Sequence, residues 1–172
     1  IHAFEDLMSS INDATIEKEP YLKYAFRDLG TYLLNKRHIE DATKVFKISN
    51  KIYPEDTRTL MYLAGIAFTV GENENGITTL KRALEIDANL ESQINSLGYM
   101  LLNAKKYDEA IIVFKFNVKS FPRSANCYDS LGEAYLIKGD KENAKIYYKK
   151  ALEINPNFSS AISALKELEQ EY

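Results

Sequence analysis

Toward the end of the chain, apolar residues return at helical spacing in two runs. The first is Tyr128, Leu131, Gly132 and Tyr135; the second is Ala144, Tyr148, Ala151 and Leu152. Each run lines one face of an α-helix, and Gly139 falls between them where a helix should stop. The pattern predicts two short helices packed antiparallel. The same two runs stand 34 residues earlier, and Ser-Leu-Gly at Ser130 to Gly132 repeats Ser96 to Gly98.

Cutting the chain every 34 residues gives four abutting blocks: 23–56, 57–90, 91–124 and 125–158. Position 7 reads Leu29, Leu63, Leu97, Leu131. Position 8 reads Gly30, Ala64, Gly98, Gly132. Position 20 reads Ala42, Gly76, Ala110, Ala144, and position 24 reads Phe46, Leu80, Phe114, Tyr148. Side-chain size is kept at each slot, which marks an internal repeat. Tiny residues at 8 and 20 let two helix axes approach, and large ones at 7 and 24 fill the space between them. Gly71 and Gly139, both at position 15, suit the left-handed end of a first helix. Pro54, Pro122 and Pro156 end second helices, because proline lacks an N–H and restricts its predecessor. The second block has Ala88 in the proline slot and Gly76 in mid-helix, so it is expected to be the softest.

These residues resemble the tetratricopeptide repeat. "LGEAYLIKGDKENAKIYYKKALEINP" follows that pattern almost throughout, "SLGYMLLNAKKYDEAIIVF" nearly as well, and the resemblance covers Lys23 to Phe158. It implies an all-α fold: a right-handed superhelix, or α-α solenoid, of four helix-turn-helix repeats. Departures are Phe26, Leu60, Ile94 and Tyr128 at position 4, where tryptophan is often found, and Ser49 and Asn117 at the small slot 27.

Both ends need cover, since one repeat cannot bury its own face. Residues 159–172 read as a capping helix with Ala161, Ile162, Leu165 and Leu168 on one stripe and Ser159 or Ser160 as N-cap. Residues 1–22 read as a helix and linker, with Ile1, Phe4, Leu7, Met8 and Ile11 at helical spacing and "ATIEKEP" as a hinge. The chain starts with Ile1 rather than Met, which points to a processed chain or a piece of a larger one.

Composition narrows the function. The 172 residues are 45% hydrophobic and 27% charged, with a net charge of −3, which argues against a nucleic-acid partner. No apolar run approaches the roughly 18 residues of a membrane span. Catalytic chemistry finds no footing. His38 reads as a solvated turn residue, and no ligand set surrounds it. Asp108 with Glu109, and Glu72 with Glu74, read as complements to helix dipoles. Cys127, the single cysteine, reads as a small packed residue and not a nucleophile. There is no phosphate loop or nucleophile elbow. No metal, cofactor or catalytic residue is expected.

What remains is the groove. In the resembled family, certain first-helix positions look into it. Carried over, these are Tyr24, Arg27 and Thr31 in the first repeat, and Arg58, Met61, Tyr62, Gly65 and Phe68 in the second. The third gives Asn95, Tyr99 and Asn103, and the fourth Asn126, Asp129 and Glu133. Aromatic and arginine side chains bind at little entropic cost, and Asn can pair with a peptide backbone. Gly65 would leave room for a guest to come close. Capture of a C-terminal carboxylate, one known use of the fold, needs several cations in these slots; only Arg27 and Asn95 conform.

The leading expectation is a non-catalytic scaffold holding a protein or peptide segment in the groove. A second comes from "INSLGYMLLNAKKYDEAIIVFKFNVKSFPRSANCYDSLGEAYL", which looks like the repeat tails that follow bacterial serine-hydrolase domains; the chain would then be the accessory part of an enzyme with its catalytic domain upstream. A third is self-association as a homodimer through the outer helices.

Overall fold

A computed structural model describes residue 19 and residues 21–170. Among them lie nine α-helices and no strand. The first helices of the four blocks are α1 (Leu22–Asn35), α3 (Thr57–Thr69), α5 (Glu91–Asn103) and α7 (Ala125–Lys138). The second helices are α2 (Ile39–Ile52), α4 (Asn73–Ile86), α6 (Tyr107–Ser120) and α8 (Lys141–Ile154), and α9 (Ser159–Gln170) follows. No described helix is long and apolar enough to cross a membrane. Residues 1–18, with the apolar spacing and most of the hinge noted above, lie outside the described set.

The described residues divide into two compact units, those up to Leu63 and those from Ala64 on, the division falling within α3. In the first unit α1 and α2 form a hairpin. Gly30 faces the ring of Phe46 so closely that no Cβ would fit, and Phe46 stacks on Tyr62 with centroids 4.7 Å apart. Ser49, the departure at slot 27, is fully buried with its hydroxyl 3.3 Å from that of Thr59, which in turn donates to Asp56 at 2.7 Å. A polar residue in a core slot is tolerated there because its partner is buried with it.

In the second unit the hairpins α5–α6 and α7–α8 repeat one device. A Cβ on Gly98 would lie 2.5 Å from the Phe114 ring, and one on Gly132 would lie 2.9 Å from Tyr148. Ring against bare backbone sets the spacing of the two helices. Between α3 and α4 the parts change places: Gly76, on the second helix, faces Phe68, on the first, with 2.7 Å between a built Cβ and the ring. The mid-helix glycine of the second block is a socket. Asn117, the other departure at slot 27, is buried and donates to the backbone carbonyl of Glu91 at 3.1 Å.

All four first helices end alike. Position 15 has positive φ in every block: Arg37 at 63°, Gly71 at 86°, Lys105 at 60° and Gly139 at 90°. Around each, the same pair of bonds closes the helix. At Gly139 they run from its own N–H to the Leu136 carbonyl and from the Asp140 N–H to that of Tyr135, both at 2.9 Å. This is the left-handed C-terminal stop expected from the glycines. Two blocks make it without glycine. Second helices also stop alike, with or without proline. Asp87 takes an extended conformation and accepts from the Asn89 N–H at 2.9 Å, and Asn155, ahead of Pro156, makes the same side-chain turn with the Asn157 N–H at 3.1 Å.

In α9, Ala161 and Leu168 are buried, but Ile162 is 45% exposed, so the predicted apolar stripe is narrower than drawn. Ser160 turns its hydroxyl to Asp129 at 3.0 Å.

Candidate functional site

Two residues assigned to the groove do not reach it. Phe68 is 0% exposed; its ring fills the socket at Gly76, and core burial outweighed the surface register. Gly65 is buried, and the space a side chain would take is bounded by Leu97 Cδ1 at 3.2 Å and Met100 Cε at 3.5 Å. Neighbouring helix α5 occupies the room that the sequence reading left for a guest.

In the first unit most of the remaining residues are cationic or aromatic. Tyr24 is 48% exposed and carries the Arg27 guanidinium over its ring at 4.6 Å and Lys23 Nζ at 5.3 Å. Arg27 also reaches Asp56 at 4.0 Å, and its Nε is buried with no hydrogen-bond partner. Thr31 bonds back to the Arg27 carbonyl at 2.8 Å, which fixes its rotamer. Arg58 is exposed and Met61 half-buried. Tyr62 is half-buried but lies on core Phe46, so it also serves the core.

The second unit joins its residues across helices. Tyr99 of α5 donates its hydroxyl to Glu133 Oε2 of α7 at 2.6 Å, with Ser130 Oγ 3.2 Å away. Its ring meets the edge of Phe114 at 5.2 Å, which anchors it. Asp129, one turn before Glu133, accepts from Ser160 of α9. Position 9 of one block thus reaches positions 6 and 9 of the next, and position 5 reaches α9. Asn103 and Asn126 are exposed. Asn95 is half-buried, and its Oδ1 is buried without a partner.

Burial governs the ionisation of this cluster. It pushes the Asp129 carboxyl up, with Glu133 adding to the effect and the Ser160 bond opposing it. It also raises the Tyr99 hydroxyl, and the bond to Glu133 raises it further. Ser160 entered the sequence reading only as a cap. Its place one block after Asn126 in the 34-residue frame is the signal that could have moved it into the site.

The side chains singled out for chemistry fall elsewhere. Cys127 is 0% exposed, and burial pushes its thiol up to about 12, which suits a packed residue. His38 is exposed ahead of α2, and Asp108 and Glu109 lie in the first turn of α6. Among the described residues no group of three or more metal-ligating side chains gathers. A cavity of about 650 Å³ opens between α4 and α6, with Ile77, Leu84, Ile112 and Phe116 at its wall and Lys81 and Lys119 beside them.

A family model for the tetratricopeptide repeat matches residues 125–158. Superkiller protein 3 of Schizosaccharomyces pombe is 28% identical over 154 residues, 84% of this chain and 11% of that protein. BBSome complex member BBS4 of Bos taurus is 22% identical over 162 residues, 94% of this chain and 31% of that protein. The chain therefore spans a third or less of the length of these relatives. Among solved structures, MamA protein gives a TM-score of 0.52 at 21% identity, covering 87% of this chain and 82% of that one. PilF of Pseudomonas aeruginosa gives 0.51 at 23% identity, covering 87% and 68%. At such identities these two structures speak for the fold.

Proposed function

The chain is a tetratricopeptide-repeat protein, and from that premise we propose that it is a non-catalytic scaffold whose first helices hold a segment of another protein. The observation that carries this reading is the under-used polar surface of α5 and α7. Asn103 and Asn126 are exposed, and the side-chain oxygens Asn95 Oδ1 and Asp129 Oδ1 are buried without partners. Buried polar atoms are ordinarily satisfied. Asn73 Oδ1 and Asn117 Oδ1 on second helices lack partners too, but Asn95 and Asp129 share position 5 of their blocks, a register that suits a surface completed by a guest. Amide side chains there can bond an extended backbone, and Tyr99 offers a rigid ring beside them.

Capture from a lysate of the source cells tests the reading. Asn103→Glu with Asn126→Glu alters only exposed residues, so the double variant should fold normally and lose the captured partners. Lys81→Glu with Lys119→Glu, beside the α4–α6 cavity, should keep them. Loss with the lysine pair and retention with the asparagine pair would move the binding surface to the second helices. The hydrolase-tail and self-association readings gain no support from the relatives reported above.

A further inference from the structure

The groove reading leaves the chemistry of the guest open; the cluster on α7 narrows it, and the inference rests on that reading. Asp129 and Glu133 are four apart on one helix, so their carboxylates share a face, an arrangement of like charges that destabilises a helix by itself. The groups that touch them are neutral hydroxyls: Ser160 on Asp129, Tyr99 on Glu133. From the other packed elements the titratable neighbours are Tyr99 of α5, Tyr148 of α8 and Glu167 of α9. None is a cation, and among the described residues no ion pair joins Asp129 or Glu133; Lys138, on the same helix, pairs with Asp108 instead. Asp129 is only 7% exposed, and one of its oxygens has no hydrogen-bond partner.

An acceptor of this kind, beside a second carboxylate, calls for a positive group with several N–H donors. An ammonium brings three donors and a guanidinium five. A hard metal ion such as calcium wants six to eight oxygens, more than this cluster offers. We propose that Asp129, Glu133 and Tyr99 form a subsite for a lysine or arginine side chain of the bound segment. The ammonium or guanidinium would rest against Glu133, which Tyr99 keeps in place, and its charge would favour the ionised form of the buried Asp129 beside it.

The test uses the full chain, labelled with ¹⁵N and ¹³C, and four synthetic peptides that differ only in a central lysine, arginine, norleucine or glutamate. The lysine and arginine peptides should shift the amides of Asn95, Tyr99, Asp129, Glu133 and Ser160 and lower the midpoint of the Asp129 carboxyl titration. They should bind at least about tenfold more tightly than the norleucine peptide, as charge-assisted bonds require. Glu133→Gln, which can still accept from Tyr99, should erase most of that preference without lowering the melting temperature; Tyr99→Phe should weaken it less. Equal binding of lysine and norleucine, or the same shifts from calcium chloride with none from the peptides, overturns the proposal. The lysate experiment separates the two failures. Capture lost with the asparagine pair but untouched by Glu133→Gln keeps the groove and removes the cation subsite. Capture untouched by both removes the groove as well.

Discussion

The hairpins α7–α8 and α3–α4 solve one packing problem from opposite sides. In α7–α8 the bare backbone is on the first helix, at Gly132, and the ring is on the second, at Tyr148. In α3–α4 the ring is Phe68 on the first helix and the bare backbone is Gly76 on the second. What is kept is the fit of a ring to a glycine, not the address of either partner. The exchange also has a functional consequence. A large side chain at position 12 of the first helix is drawn wholly into the core, where Leu102 at the same position is also buried and Leu34 and Leu136 are half-buried. Phe68 thus offers nothing to a guest, whereas Asn95 of α5 and Asp129 of α7 each keep an unpartnered side-chain oxygen.

The largest expected effect comes from emptying the socket. Phe68→Ala should cost about 3–5 kcal/mol by cavity formation, and Leu131→Ala in the other hairpin about 2–5 kcal/mol, both read by urea denaturation. Were Phe68 a groove residue, its removal would be nearly silent. Next comes overfilling. Gly132→Leu should cost on the order of 1–3 kcal/mol, and Gly76→Ala should destabilise despite alanine's helix preference of about 1 kcal/mol, because its Cβ has no room.

A smaller effect tests the helix stops. Lys105 holds with a side chain the same left-handed turn that Gly139 holds without one. Lys105→Gly should stabilise by about 0.5 kcal/mol and Gly139→Ala should destabilise by about 1 kcal/mol. The smallest is a pH effect. Burial raises the folded-state value of Asp129 above the ordinary 3.8. A raised carboxyl favours the fold most below the unfolded value, and that advantage is lost as pH rises through the folded one. Melting temperatures of wild type and Asp129→Asn should therefore diverge as pH rises from about 4 toward 7, with the variant the more stable at the upper end.

The repeat was legible because size classes recur at a fixed offset, and burial must recur with them. Gly30, Gly98 and Gly132 opposite rings at position 24 could be read directly. The second block could not, for two reasons. An exchanged glycine and ring keep the volume while breaking the positional match, so Gly76 looked like a defect. The Asx turn that closes the second helix at Asp87 also stands at Asn155 beside Pro156, so the stop does not depend on the proline that composition announces. Arg37 and Lys105 were missed because nothing in a basic side chain signals positive φ; the frame does, since they share position 15 with Gly71 and Gly139. The site was less legible than the fold. Register alone assigned Phe68 and Gly65 to the groove, yet burial against Gly76 within the α3–α4 hairpin, or under α5, decided their fate. Tyr62 and Tyr99 combine a groove register with a ring against the core, so alanine there would not leave the melting curve unchanged. The bonds of Asp129 and Glu133 depend on which rotamers reach across to α9 and α5, which spacing does not specify.

The most direct test of the exchanged socket is a double-mutant cycle on Phe68 and Gly76. Gly76→Ala should destabilise the wild-type chain but become neutral or stabilising in a Phe68→Leu background, where the ring no longer presses on the backbone and alanine's helix preference is freed. If Gly76→Ala has the same effect in both backgrounds, the two residues do not face each other, and Phe68 returns to the list of side chains open to a guest.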